Sequence, residues 1–526
     1  MTPPFILFGL LTVTLALAVV AKRLELPYPI VFVVGGGLLA FVPSLPPVEL
    51  QPDLVFLIVL PPLLYAGGWT TDFKKFKANG RTIAMLAIGL VLATTVAVAA
   101  VVHRLSPEIG WGAAFVLGAI VSPPDAVAAE AIFERFDVPR RILTILSGEG
   151  LVNDATALVV YRFAVVAVIT GSFSLIGATL SFVGVAVGGV VVGLGVGYGI
   201  VWIGKMLDRG GLEDPLLDNL TNFLAPFAAY FSGDGLHVSG VLSAVVAGIY
   251  VSRKSSEIYA PETRLTSYAI WNILIFLLNG LVFLLIGLEL RQIVHDRSFA
   301  AHYIWAGILV SLVTIVVRIA WVFSALYLPR LLLRRKKRAT DPPWQGVTVV
   351  AWSGMRGIVS LAAALAIPLQ VGGRPFPGRN EILFITFCVI FVTLVLQGLS
   401  LVPLVRWLGI SGGGNLKARE TEVRVAALRA AVARLRELEP NFESIEEWEV
   451  EGRILAEYDY RIQHLLGHDD ATHRESIESR IDHRLEGEAL GAERREIMRL
   501  REGGEIPDEI FRTIEYDLDL ASARLS

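Results

Sequence analysis

The sequence predicts an all-α membrane protein of about 13 transmembrane helices followed by a cytoplasmic helical tail. Of its 526 residues, 54% are hydrophobic and 18% are charged, whereas soluble domains average about 45–50% and about 25%. Its mean hydropathy is +0.61. Up to about residue 410, apolar stretches of roughly 17 to 30 residues follow one another, each long enough to cross about 30 Å of hydrocarbon. This composition excludes an ordinary soluble enzyme and an intrinsically disordered chain.

The charges divide the chain into two regions of opposite character. Residues 1–414 hold 29 Lys and Arg against 22 Asp and Glu, whereas residues 415–526 hold 17 against 27. We therefore predict a transmembrane domain over 1–410, a flexible joint at 411–415 (SGGGN) and an acidic cytoplasmic helical domain over 416–526. No motif in the tail identifies a ligand, and we expect an unidentified regulator or a dimer contact there. No basic surface of the nucleic-acid-binding type is present.

Hydropathy and loop residues predict thirteen spans. They lie near 4–21, 28–44, 53–69, 82–103, 111–133, 142–169, 174–204, 216–232, 236–252, 265–290, 302–328, 345–370 and 381–408. Loops after odd-numbered spans carry 20 Lys and Arg, and loops after even-numbered spans carry five. Because cytoplasmic loops are the basic ones, this alternation puts the N-terminus outside and the tail in the cytoplasm, in a bacterial plasma membrane.

The fifth predicted span contains a helix break next to a carboxylate. Pro123 and Pro124 remove two backbone donors and leave carbonyls upstream unpaired, so the helix must break. Such a break at membrane depth survives only where it faces protein or water. Asp125 follows it directly and begins the second half-helix. A proline kink with a capping Asp would explain this segment alone, but not the second carboxylate in the next span.

The sixth and twelfth spans supply the other charged groups. Glu149 and Asn153 are four residues apart and share a helix face, whereas Asp154 is turned by about 100° from Asn153. In the twelfth span, glycines on both sides of Arg356 suggest a second interrupted helix. A charge inside a membrane is expensive and needs a partner, so we predict that Glu149 pairs with Arg356. Interrupted spans 5 and 12 at corresponding positions suggest inverted repeats whose discontinuous helices cross at the midplane.

These motifs resemble a known family. SPPDAVAAEAIFERF, GEGLVNDA, GMRG and LPPLLYAGGW are similar to segments of the NhaP-type sodium/proton antiporters, which are related to the animal and plant sodium/proton exchangers. The resemblance covers about residues 1–410 and implies an electroneutral, often homodimeric exchanger with an elevator-like movement that serves pH homeostasis.

By this resemblance, Asp154 is the principal carboxylate for the cation and the proton, and Asn153 is its companion. Asp125 is the second acidic group at the ion site. Glu149 and Arg356 form the structural ion pair, and Arg318 matches an arginine position of the eleventh span with an accessory role.

Three positions depart from the family pattern and leave the cation in doubt. Ala66 stands where many relatives carry Glu or Asp, Pro124 replaces a Thr, and Gly150 replaces a Ser. The hydroxyl of Ser122, backbone carbonyls near it or water could supply the missing oxygen ligands.

The chemistry itself needs only a buried carboxylate at which proton and monovalent cation compete, with access alternating between the two sides. We expect Na⁺, and also Li⁺, as the exchanged cation, with K⁺/H⁺ exchange on the same fold as the main alternative. A cation channel and an intramembrane aspartyl protease are remote alternatives. The former lacks a visible filter, and the latter lacks its Gly-x-Gly-Asp signature around both aspartates. No resident cofactor is predicted, and membrane lipids are expected neighbours.

Overall fold

The computed structural model describes most of the chain. The described residues are 3–42, 52–133, 138–171, 175–210, 214–290, 301–332, 343–371, 373–410, 414–438, 444–466, 489, 491–493, 495–500, 514 and 518. The chain separates into two compact units, Met1–Gly412 and Gly413–Ser526. This boundary falls inside the predicted joint, of which residues 411–413 lie outside the described residues. The assignment of the two units to membrane and cytoplasm stays a prediction.

The first unit is almost entirely helical. Its helices are α1 (Pro3–Arg23), α2 (Tyr28–Ala40), α3 (Pro52–Thr70), α4 (Phe73–Ala78), α5 (Gly80–Leu105), α6 (Trp111–Val121), α7 (Ala126–Phe133), α8 (Arg140–Thr170), α9 (Leu175–Arg209), α10 (Pro215–Gly235), α11 (Gly240–Ile258), α12 (Pro261–Leu288), α13 (Ala301–Leu332), α14 (Trp344–Trp352), α15 (Ile358–Leu365) and α16 (Arg379–Trp407). Between α15 and α16, strands β1 (Gln370–Val371) and β2 (Arg374–Pro375) pair antiparallel.

The long apolar helices establish an integral membrane protein. A helix pairs all its internal backbone groups with itself, which hydrocarbon requires. In the described chain, eight helical segments are long and apolar enough to cross a membrane, with α6 and α7 counted together. All thirteen predicted spans fall on described helices or helix pairs, but thirteen crossings, the inverted repeat and the orientation stay predictions.

Some predicted features lie outside the described residues. They are the loop basic residues Arg135, Arg291, Arg297, Arg334, Arg335, Lys336, Lys337 and Arg338, and most of the predicted tail helices 471–501 and 507–522.

Two of the predicted spans are interrupted where the sequence indicated. Residues 122–125 separate α6 from α7, and residues 353–357 separate α14 from α15. Both interruptions contain or adjoin residues that cannot continue a helix easily, the two prolines in the first and the two glycines in the second. The described chain also contains π-helical turns at Val55–Val59 in α3, Met85–Leu90 in α5 and Thr393–Gln397 in α16. Such turns are frequent at functional sites.

Close helix packing in the first unit depends on glycine. A Cβ added at Gly68 of α3 would overlap the carbonyl oxygen of Val245 in α11, and one at Gly248 of α11 would overlap the carbonyl oxygen of Tyr65 in α3. The two backbones therefore touch over this pair of glycines, as small residues allow in membrane bundles. Helix α3 is fixed there, and its Leu60, Leu64 and Gly67 form part of the wall of the cavity described below.

The second unit contains two well-described helices, α17 (Gly414–Leu438) and α18 (Ile445–Leu466). They pack on each other through the buried side chains of Val425, Val432 and Ile462. The remainder of α17 carries dense charge.

We predict that Gly68→Ala lowers the thermal unfolding midpoint of the detergent-purified protein. The added methyl meets backbone, and overpacking of this kind costs about 1–3 kcal/mol. The matched control is Gly195→Ala in α9, where an added Cβ meets nothing within 4 Å. There alanine should be neutral or stabilising because it is the better helix former. Equal midpoints for the two variants would contradict the close approach of α3 and α11.

Candidate functional site

The two helix interruptions lie against each other and complete each other's hydrogen bonding. The backbone N–H of Asp125 donates to the carbonyl oxygen of Met355 at 2.7 Å. In return, Nε of Arg356 donates to the carbonyl oxygen of Val121 at 3.0 Å. Val121 is the last residue of α6, so its carbonyl has no partner within that helix. Each interruption therefore supplies partners that the other one needs in an apolar interior.

Arg356 is held by backbone and by α16. Its side chain is fully buried, and its Nη1 donates to the carbonyl oxygen of Gly354. Its own N–H donates to Oγ1 of Thr393 at 3.1 Å. Thr393 begins the π-helical turn of α16, so this irregular turn contacts the second interruption directly. The guanidinium of Arg356 thus donates hydrogen bonds to backbone carbonyl oxygens where the two helices are broken.

Asp125 caps α7 with one carboxylate oxygen and leaves the other free. Its Oδ1 accepts the N–H of Val127 at 3.0 Å, as a residue just before a helix does. Its Oδ2 is buried and has no hydrogen-bond partner. This oxygen lies against Gly357, where a Cβ would overlap it. The capping role and a site role are therefore compatible in one residue.

Asn153 and Asp154 lie on two different faces of α8 and have different surroundings. Asn153 is fully buried, and its Nδ2 donates to the carbonyl oxygen of Pro124 at 2.8 Å. It therefore ties α8 to the first interruption. Asp154 is half-buried, and no hydrogen bond or ion pair to another described residue holds its carboxylate. The turn of about 100° between successive helical residues explains why neighbours face different surroundings.

The two aspartates line one cavity of about 100 Å³. Helices α3, α7, α8 and α15 form its wall, together with the first interruption and Gly357. Its polar groups come from Asp125, Asp154, Glu130, Ser147, Ser360 and Thr70, and the remainder is apolar, including Leu60 and Leu64. Ser147 donates a hydrogen bond to Glu130 across the α7–α8 contact. A space lined by three carboxylates and by hydroxyl oxygens, otherwise apolar, suits a partly dehydrated cation or a proton.

Ser122 lies in the interruption but not on the cavity wall. It is fully buried, and its hydroxyl donates to the carbonyl oxygen of Ala119 at 2.9 Å. The sequence predicts this hydroxyl as an oxygen ligand beside the two aspartates. In the structure, it does not line the cavity that contains them. Ala66 is buried as well. Its neighbour Gly67 and Gly150 of α8 do line the cavity.

The predicted ion pair between Glu149 and Arg356 is wrong in its basic partner. Glu149 accepts two hydrogen bonds from Arg318, Nη1 to Oε1 at 2.5 Å and Nη2 to Oε2 at 3.0 Å. Nη2 of Arg318 also donates to the carbonyl oxygen of Val350 at 3.0 Å. Both side chains are at most 1% exposed. Helix α13 places Arg318 opposite Glu149, while Arg356 is engaged by the broken backbone.

Sequence reasoning missed several residues of the site. Ser147 lies two helical turns before Asp154, a spacing that indicates a shared face. Ser360 follows Gly357 by three residues and was read only as part of an apolar run. Thr393 carries no sequence signal, because a π-helical turn has no motif of its own. In the described chain, no cluster of three His, Cys, Asp or Glu side chains suited to a resident metal ion is present.

The fold and this cavity define a class of membrane protein. Long apolar helices surround two broken helices that meet beside a pair of half-buried aspartates, an arrangement typical of ion-coupled secondary transporters. The sodium/hydrogen exchanger transmembrane family model matches residues 10–407. The chain belongs to this family, as an antiporter of the NhaP type. It is therefore a secondary transporter that exchanges a cation for protons, and it is not an enzyme.

Individual relatives agree with this assignment. The chain is 32% identical over 538 residues to a protein of Escherichia coli named as the Na⁺/H⁺ exchanger YjcE, covering 98% of both chains. It is 33% identical over 420 residues to a Bacillus pumilus protein named sodium, potassium, lithium and rubidium/H⁺ antiporter, covering 78% of this chain and 62% of the relative. The structure of the sodium proton antiporter MjNhaP1 from Methanocaldococcus jannaschii matches with a TM-score of 0.59 at 17% identity, covering 77% and 98%. That likeness concerns the fold.

We predict strong coupling between Glu149 and Arg318 in a double-mutant cycle. Breaking a buried ion pair by removing one partner costs about 3–5 kcal/mol, because the other charge stays buried without a partner. Glu149→Ala and Arg318→Ala should each lower the thermal midpoint strongly, and the double variant should be no worse than either.

Two comparisons test this interpretation. When Glu149→Ala is combined with Arg356→Ala, the two losses of stability should be closer to additive, since these side chains form hydrogen bonds with different partners. Arg162→Ala removes an exposed ion pair with Asp234 and should change stability little. Additive losses for Glu149 and Arg318 would contradict the observed pairing.

Proposed function

We propose that this chain exchanges Na⁺, and also Li⁺, for H⁺ at a site formed by Asp154 and Asp125. The observation that carries the proposal is the single cavity lined by both carboxylates where the two interrupted helices meet. A carboxylate binds either a proton or a cation, so the two compete for the same group. If access alternates between the two sides of the membrane, competition alone couples the two fluxes. No nucleotide is required.

Asp154 is the principal exchanging group in this proposal. It has no hydrogen bond or ion pair to another described residue, so its occupant can leave without breaking a protein contact. Asp125 contributes its free Oδ2, and Asn153 holds α8 against the carbonyl oxygen of Pro124. Glu149 and Arg318 keep their charges paired beside the site. We further propose electroneutral exchange, a homodimer, an outside N-terminus, and a cytoplasmic tail that regulates transport. The alternating basic loops support this orientation in a bacterial plasma membrane.

K⁺/H⁺ exchange is the second candidate. The relative from Bacillus pumilus is named for sodium, potassium, lithium and rubidium, and so is a second one from Bacillus subtilis, 35% identical over 379 residues. The chain also lacks an acidic side chain at Ala66 and a hydroxyl at Gly150. Proton flux in proteoliposomes driven in turn by Na⁺, Li⁺, K⁺ and Rb⁺ distinguishes the candidates. Saturation and dependence on a counter-ion separate an exchanger from a channel.

We predict that Asp154→Asn abolishes cation-driven proton flux in proteoliposomes while the protein keeps its thermal midpoint. An amide neither takes up a proton nor balances a cation charge, so neither substrate is bound. Asp234→Asn is the matched control, since Asp234 is exposed and pairs only with Arg162 in the described chain. Its flux should equal that of the wild type. Wild-type flux in the Asp154 variant would refute the proposed site.

We also predict that acidification raises the cation concentration needed for half-maximal flux. For one-to-one competition at a single carboxylate, each pH unit below the titration range raises it by about tenfold, since protons occupy the site in proportion to their concentration. The maximal rate at saturating cation should change far less. A half-saturating Na⁺ concentration that stays constant from pH 6 to pH 8.5 would contradict competition at one group.

A further inference from the structure

Ser360 is a buried hydroxyl group on the wall of the ion cavity. It lies in the first turn of α15, directly after the second interruption, and it is 1% exposed. Its Oγ has no hydrogen-bond partner. Other buried hydroxyl groups without a partner in the described chain include those of Thr94 and Thr386, but neither of these residues lines the cavity.

The helix interruption explains why this hydroxyl is unpaired. A serine or threonine inside a helix usually donates to the carbonyl three or four residues earlier, as Ser311 does to Gly307 at 2.7 Å and Thr95 does to Val91 at 2.8 Å. For Ser360 the fourth residue back is Arg356, which lies in the interruption and not in a helix. The usual acceptor is therefore not in place, and the hydroxyl is left without its normal partner.

Leaving a buried hydroxyl unpaired is costly unless a ligand or water uses it. The cavity provides such an occupant, because the same wall carries the carboxylates of Asp125 and Asp154. On the α8 side, Ser147 already donates to Glu130, and Gly150 has no side chain, since a Cβ there would lie 2.5 Å from the Cβ of Ala126. Ser122, the hydroxyl expected from sequence, donates to its own helix.

We propose that the Ser360 hydroxyl oxygen is a ligand of the transported monovalent cation. It is a neutral oxygen, which a hard cation accepts beside carboxylates, and it lies in the first turn of α15, directly after the second interruption. The cation is then held between α8, through Asp154, and α15, through Ser360. This assignment rests on the proposed exchange function for the identity of the ligand and adds a selectivity-determining residue to it.

The test compares Ser360→Ala with Ser311→Ala. Both variants delete one hydroxyl from a serine that is 1% exposed, but Ser311 lies in α13, outside the cavity wall, and its hydroxyl is already bonded. In proteoliposomes, Ser360→Ala should raise the half-saturating Na⁺ concentration by about 3- to 10-fold, the usual effect of losing one neutral polar contact. Its maximal rate at saturating Na⁺ should stay within about twofold of the wild type, and Ser311→Ala should match the wild type in both values.

A direct binding measurement separates this inference from the proposed function. Stabilisation of the purified protein by Na⁺ and Li⁺ is followed as the rise of its thermal midpoint with cation concentration. Weaker stabilisation of Ser360→Ala alone supports the assignment, even if the wild type shows no exchange and the proposed function fails. Unchanged cation dependence in both assays, or an equal change in Ser311→Ala, overturns the assignment while leaving exchange at Asp154 intact.

Discussion

The site depends on the pairing of backbone groups that two broken helices expose in an apolar interior. Each unpaired buried group would cost about 1–3 kcal/mol, and some of the required partners come only from the other broken helix. Met355 accepts the N–H of Asp125, and the side chain of Arg356 reaches the carbonyl of Val121. The two interruptions are therefore stable only together. Since the aspartate and the glycine that it touches belong to these segments, the position of Asp125 is set by the same hydrogen bonds.

Permanent and exchangeable charges are kept apart on α8. An arginine stays protonated at any physiological pH, so a carboxylate paired with it is neutralised continuously and cannot easily bind a second cation. Arg318 is bound to Glu149, and Arg356 to carbonyl oxygens of both interruptions. Asp154, five residues after Glu149, is left without such a partner. The helix is thus anchored by Glu149, while Asp154 lines the cavity at which we propose that exchange occurs.

Much of this arrangement follows from the sequence, and the remainder has identifiable physical reasons. Helix-breaking prolines and glycines predict the two interruptions, and carboxylates in apolar segments predict Asp125 and Asp154 as site residues. The partner of Glu149 could not be predicted from the sequence, because Arg318 and Arg356 both lie in apolar segments and both need a partner. Only the three-dimensional structure shows that Arg318 of α13 reaches Glu149. Ser122 and Ser360 also look alike in sequence. Their difference arises from whether a helical carbonyl lies three or four residues earlier, which depends on where the helix begins.

Selectivity between monovalent cations at this site must come from the number of ligand oxygens and the size of the cavity, since carboxylates attract every monovalent cation. The cavity of about 100 Å³ has apolar side chains such as Leu60 and Leu64 beside its polar groups. In the proposed mechanism, a cation that binds there exchanges part of its hydration shell for protein oxygens. Backbone limits any adjustment on two sides, because Gly357 touches Asp125 and Gly150 packs against Ala126. A side chain at either glycine would shrink or distort the space, whereas a change at a polar wall residue alters the ligands alone. In the proposed mechanism, the two aspartates couple the cation to protons, and the hydroxyl and carbonyl oxygens around them distinguish Na⁺ from K⁺.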